Sequence, residues 1–86
     1  MADLSASWRC KVFCDGGIAM HVDRALFVKL NRSAAWVVDR LVRGASSDGT
    51  VQEYAKSFGV STDQAAQEVA AVGAQLLAAE SAVQTQ

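Results

Sequence analysis

Between Leu26 and Gly44 the apolar positions change period without a linker. Leu26, Val28 and Leu30 alternate with Phe27 and Lys29, the period of a half-buried strand. From Ala34 onward, Val37, Val38, Leu41 and Val42 recur at helical spacing, the stripe of an amphipathic helix. Asn31 or Ser33 is placed to cap that helix, and Gly44 to close it in a left-handed conformation. A strand that runs straight into a helix organises the elements on either side.

Upstream, Trp8, Cys10, Val12 and Cys14 alternate with Arg9, Lys11, Phe13 and Asp15, which predicts a first strand. Asp15-Gly16-Gly17 reads as a tight hairpin turn, because glycine supplies the positive φ such turns use. Ile18, Met20 and Val22 alternate with Ala19, His21 and Asp23 as a second strand, and Asp23-Arg24-Ala25 leads into Leu26–Leu30. This pattern predicts an antiparallel meander with one apolar face, on which Ile18, Met20 and Val22 join the cysteines while His21 lies opposite.

Downstream, Ala45–Gly49 is a polar loop and Thr50-Val51-Gln52-Glu53 a capping-box pattern. Val51, Tyr54, Ala55 and Phe58 form the stripe of a short second helix ending at Gly59. Ser61–Gln64 opens a longer third helix, expected to reach about Ala82. The expected organisation is a flexible segment 1–6, one domain over 7–83, and a polar tail over 84–86. The fold class is α+β: a three-stranded antiparallel sheet followed by three helices, winged-helix-turn-helix-like.

The third helix is apolar over a wider arc than a core requires. Ala65, Val69, Val72, Leu76 and Ala79 suffice to seat it, yet Ala66, Ala70, Gly73 and Leu77 extend the apolar face to ~180°. Small side chains either let the helix pack tightly on its neighbours or leave room for another backbone. In the second case the flank is one wall of a peptide groove. The other wall is the edge of Leu26–Leu30, which lacks proline or a bulge signal to blunt it. The candidate site residues are therefore Leu26, Phe27, Val28, Lys29 and Leu30 on the strand, with Ala66, Val69, Ala70, Gly73 and Leu77 on the helix.

This element order, with Leu30-Asn31-Arg32-Ser33-Ala34-Ala35 at the junction, resembles the PqqD-like peptide chaperones, also called RiPP recognition elements. The resemblance spans residues 8–83, and the Gly44–Gly59 segment and the long terminal helix also fit it. With Leu41-Val42-Arg43-Gly44 after the junction, the chain is most similar to the stand-alone recognition proteins of lasso-peptide pathways. The resemblance implies binding of the leader segment of a ribosomally made precursor, added antiparallel to the third strand and touching the third helix. It also implies a separate leader peptidase, and a cyclase in the same pathway, as partners. Two positions depart from the family pattern. Val38 stands where a large residue such as Trp is common, and Glu80-Ser81-Ala82-Val83 replaces the usual Gly-Leu after the last helix. Trp36, at a variable position, projects off the core face, where it either stacks on Arg40 or touches the partner enzyme.

Charge adds one qualification. Residues 1–44 hold seven Lys/Arg against four Asp, while residues 45–86 hold one Lys against five Asp/Glu. A winged-helix DNA-binding regulator is the main alternative, as is a peptide chaperone for a radical enzyme, or an interaction domain of a small oligomer. The third helix would be the recognition helix in the DNA case, and its outward face carries Gln64, Gln67, Glu68 and Gln75 without one basic residue. No apolar run reaches the ~20 residues of a membrane span, and no secretory signal opens the chain, so a cytoplasmic monomer without nucleic-acid or membrane partners is expected.

No chemistry-bearing constellation emerges. Cys10 and Cys14 in one strand would lie about 13 Å apart, beyond the ~7 Å that a disulfide allows. His21, the one histidine, has no evident acidic partner, and no metal-ligand spacing or phosphate-binding loop is present. The expectation is a binding module with no catalytic residue, metal or cofactor.

Overall fold

The computed structural model describes residues 7–84, with side chains to Ser81. Strands β1 (Trp8–Phe13), β2 (Gly16–His21) and β3 (Leu26–Leu30) form an antiparallel sheet in the order β1-β2-β3. Helices α1 (Arg32–Val42), α2 (Ser47–Phe58) and α3 (Thr62–Gln84) follow. This is the expected α+β order. The expected N-terminal segment lies outside the described residues, as do the last two residues of the expected tail. Helix α3 continues past the expected Ala82 to Gln84, the first residue of the expected tail.

The helix ends show why these segments are helical. Asn31 is the cap of α1: its Oδ1 accepts from Ala34 N at 2.9 Å. At the other end Gly44 adopts φ 93°, Gly44 N donates to Leu41 O and Ala45 N to Arg40 O, a Schellman closure. Helix α2 starts three residues before the expected Thr50 box. Ser46 is its cap, accepting from Gly49 N at 3.0 Å, and Thr50 is buried inside the helix with Oγ1 donating to Ser46 O. The glycine in the supposed loop is thus helical. Gly59 closes α2 at φ 66°, and Ser61 Oγ accepts from Gln64 N at the start of α3.

The hairpin departs from expectation in a way that turns over a whole strand. Phe13 pairs with Gly16, so the turn is the two residues Cys14-Asp15, and both glycines belong to β2. Neither has positive φ. They are needed for space: a Cβ on Gly17 would lie 2.7 Å from Lys11 O and 2.8 Å from Ala35 Cβ, and one on Gly16 would lie 2.5 Å from Leu30 O. A three-residue turn followed by Ile18 would pair even positions of β1 with even positions of β2. The observed register pairs Trp8 with His21, Cys10 with Ala19 and Val12 with Gly17. Because side chains alternate between faces, that shift reverses β2. Ala19 and His21 face the helices, while Ile18 and Met20 face outward. Cys10 therefore shares a face with His21, and Cys14 sits exposed in the turn and outside any strand. The physical reason is α1, which rests so close on β2 that only small residues fit beneath Ala35. The β2–β3 connection is the four residues Val22–Ala25, with Ala25 itself left-handed at φ 52°.

The core joins Trp8, Ala19 and Leu30 of the sheet to Ala34, Ala35, Val37 and Val38 of α1, Tyr54 of α2, and Ala65, Val69, Val72 and Leu76 of α3. The seating stripe of α3 is the expected one, with Ala79 half-buried at its end. Trp36 does stack on Arg40, whose guanidinium lies 4.0 Å from the ring centroid, and it meets Tyr54 and Phe58 edge-on at 5.7 and 5.6 Å.

Candidate functional site

Among the described residues strand β3 is an edge of the sheet, paired with β2 alone. The direction of its free polar groups follows from one contact. Val22 N donates to Ser7 O, so the β1-facing groups of β2 belong to residues 18, 20 and 22. Those of Gly17, Ala19 and His21 then point to β3 and pair with Leu30, Val28 and Leu26. The N–H and C=O of Phe27 and of Lys29 are left facing the open edge. Two residues thus offer four backbone groups to an incoming strand.

The side chains of β3 divide between the two faces. Leu26 and Val28 point toward the helices and are half-buried, whereas Ala19 and His21 behind them are buried. Leu30, on the same face, is fully packed in the core. Phe27 and Lys29 project from the opposite, outer face, and Phe27 is 64% exposed. The helical cover ends before the edge does.

Helix α3 reaches that edge through a long-range contact. His21 is buried with its ring edge-on to Trp8 at 5.1 Å, and its Nε2 lies 2.8 Å from Glu80 Oε2. Asp23 N donates to His21 Nδ1 at 3.3 Å, so in this arrangement Nε2 carries the proton and donates to the carboxylate. His21 does have an acidic partner, 59 residues away in the chain. Leu26 is the cross-strand neighbour of His21, so the Glu80 contact brings the last turns of α3 to the start of β3. Leu77, 43% exposed, and half-buried Gly73 lie on the adjoining turns. A Cβ on Gly73 would meet no atom within 4 Å. Ala66 and Ala70 are exposed on the same flank; Ala66 lies about 16 Å from Leu77 along the helix axis. Val69 is a core residue. Of the ten candidate residues, Leu30 and Val69 are internal, and Phe27 and Lys29 contribute backbone to the edge and side chains to the other face.

Sequence reasoning missed that other face. Phe13, Ile18, Met20 and Phe27 are exposed there, beside Arg9, Lys11 and Lys29. A depression of about 310 Å³ opens among Phe13, Asp15, Ile18, Phe27 and Lys29, with Gly16 and Gly17 also lining it. The available signal was the small-residue run Gly16-Gly17 with Ala19, which marks the helix-facing side of β2 by size.

Ionisable chemistry is sparse. Burial pushes the Cys10 thiol up to about 11; the Asp39 charge adds to this and Arg43 opposes it. Among the described residues no three His, Cys, Asp or Glu side chains converge where an ion could sit, and no helix is long and apolar enough to cross a membrane. What the arrangement offers is an unpaired strand edge with apolar side chains half-covered beside it, a geometry for holding extended polypeptide.

A family model described as "Coenzyme PQQ synthesis protein D (PqqD)" matches residues 16–80, from the start of β2 to the Glu80 contact. No curated protein and no solved structure matches the chain.

Proposed function

The chain belongs to the PqqD family, whose members are peptide-binding accessory proteins of peptide-modification pathways, and from that premise we propose that it binds a precursor's leader as an added strand on β3. The observation that carries the reading is the open edge at Phe27 and Lys29, beside half-buried Leu26 and Val28. The leader runs antiparallel to β3, its alternate side chains entering the trough toward Leu77 and Gly73.

Magnitudes decide how such a complex works. Four backbone hydrogen bonds at roughly 0.5–1.5 kcal/mol net give about 2–6 kcal/mol. Ordering about five leader residues costs roughly 5–10 kcal/mol of backbone entropy. Backbone pairing alone therefore does not hold the peptide. Two or three apolar anchors at ~1.5–3 kcal/mol each close the gap and set sequence preference. Leu26, Val28 and Leu77 are the surfaces available to such anchors, and open space over Gly73 admits the peptide backbone. Lys29 adds about 1 kcal/mol or less toward an acidic leader residue.

The protein does no chemistry itself. It presents the precursor to a leader peptidase or modifying enzyme in the cytoplasm, in a lasso-peptide pathway by the junction motif. Duplex DNA is disfavoured by the outward face of α3, where Gln64, Gln67, Glu68 and Gln75 are exposed and no basic side chain is present.

The test is Gly73→Trp, assayed by fluorescence anisotropy with a labelled precursor leader peptide that the parent chain binds. A folded mutant that no longer binds is the expected result. Unchanged affinity in a folded mutant refutes the groove, and cleavage of precursor by the purified chain alone refutes the non-catalytic role. Steeply salt-dependent binding to random duplex would favour the DNA reading instead.

A further inference from the structure

The outer face of the sheet is not used by an added strand, yet it is the most apolar exposed surface among the described strands. Its cross-strand rows are Lys11–Ile18–Lys29 and Arg9–Met20–Phe27. Phe13 stands at the end of β1, where the depression of about 310 Å³ opens beside Ile18 and Phe27. A sheet face left to solvent normally carries polar residues at these positions. Here apolar side chains are bracketed by ammonium groups, with Lys11 and Lys29 on the two strands flanking Ile18, about 10 Å apart.

We propose that this face docks the enzyme to which the peptide is delivered, through an acidic surface of that enzyme bearing an apolar side chain that enters the depression. The inference rests on the peptide-presenting reading and names where the second partner sits. Charge selects the occupant. The strand positions of this face carry Lys11 and Lys29, with Arg9 beside them donating to Trp8 O, and the carboxylate at the depression is Asp15 in the hairpin turn, so the face keeps a cationic excess. A second copy placed face to face would set these cations against one another, which disfavours self-pairing. An acidic partner gains both the attraction and the burial of Ile18 and Phe27. The placement also has a mechanical consequence. The leader lies in the plane of the sheet along β3, so enzyme and peptide occupy adjacent surfaces and bind together. Phe27 is shared between them, its backbone on the edge and its ring on the outer face.

The experiment uses the full chain, a purified leader peptidase, and a labelled precursor leader peptide. Ile18→Glu and Lys11→Glu alter the outer face without changing a β3 residue. Ile18 is the cross-strand neighbour of Lys29, whereas Lys11 lies on β1 and is exposed, so Lys11→Glu is the decisive variant and keeps the test valid if Ile18→Glu unfolds. Both are expected to keep leader affinity within about twofold of the parent and to weaken enzyme binding at least tenfold. Raising salt should weaken the parent–enzyme complex in parallel. Enzyme binding equal to that of the parent in a folded Lys11→Glu variant overturns the proposal. So does a concentration-dependent dimer of the parent that Ile18→Glu dissolves, which would make the occupant a second copy. A parent that binds enzyme but not leader refutes presentation and leaves the docking face standing.

Discussion

Replacing Lys29 by proline tests the strand-addition reading at a single hydrogen atom. The register places the Lys29 N–H at the open edge, while the Val28 N–H points inward to Ala19 on β2. Lys29→Pro therefore removes a donor that the sheet does not use, at a position where an edge strand tolerates proline. In the complex it leaves a leader carbonyl buried without a partner. That omission costs about 1–3 kcal/mol, or roughly 5- to 150-fold in Kd. Lys29→Ala keeps the N–H and loses only an exposed charge, so its effect should stay within about 1 kcal/mol. Val28→Pro removes a ladder bond and leaves a β2 carbonyl without its partner, at about 1–3 kcal/mol. For a domain of this size that lowers Tm by roughly 4–20 °C. Anisotropy with the labelled leader and thermal melts by circular dichroism read the three variants side by side. Equal affinities for Lys29→Pro and Lys29→Ala would show that the backbone of β3 does not bind the leader. A Lys29→Pro variant that melts as early as Val28→Pro would show that the hydrogen-bond phase is reversed.

The remaining expectations concern the scaffold. Gly17→Ala forces a methyl against Lys11 O and Ala35 Cβ and should destabilise by about 1–3 kcal/mol, whereas Gly73→Ala meets open space and should stabilise α3 by about 0.5–1 kcal/mol; chemical denaturation measures both. Glu80→Ala leaves the buried His21 Nε2–H without its acceptor and should cost about 1–3 kcal/mol, with a matching loss of leader affinity if α3 is thereby freed from β3. Alkylation followed by mass spectrometry at pH 8 should modify exposed Cys14 first. With its thiol near 11, Cys10 holds about one thiolate in a thousand at that pH, so comparable rates would contradict its burial. Cys10 also destabilises the fold in base: its folded-state pKa is raised, so its contribution is full below the unfolded value near 8.5 and is lost as pH rises toward 11.

Local patterning determined a great deal. The alternation at Leu26–Leu30, the stripe from Ala34 to Val42, the Asn31 cap and the closures at Gly44 and Gly59 are readable because each depends on residues within a few positions. The seating stripe of α3 was legible for the same reason: a helix's period is independent of what it packs against. The junction from Leu30 to Ala35 also carried the family membership that residues 16–80 show.

Tertiary structure decided which way β2 faces. Apolar alternation in Ile18, Met20 and Val22 argues for a core-facing strand, and the argument fails because burial depends on available volume as well as polarity. Ala35 lies where a Cβ on Gly17 would be, so Gly17, Ala19 and a histidine bonded to Glu80 occupy the interior, and Ile18 and Met20 are turned outward. That reversal created the apolar outer face and joined His21 to a carboxylate 59 residues distant, neither of which a one-dimensional pattern contains. Likewise, periodicity could identify β3 as a strand, but it is the pairing with β2 on one side alone, among the described residues, that makes Phe27 and Lys29 the residues whose backbone is open. A period reports which residues share a face; what covers that face is set by packing between segments far apart in the chain.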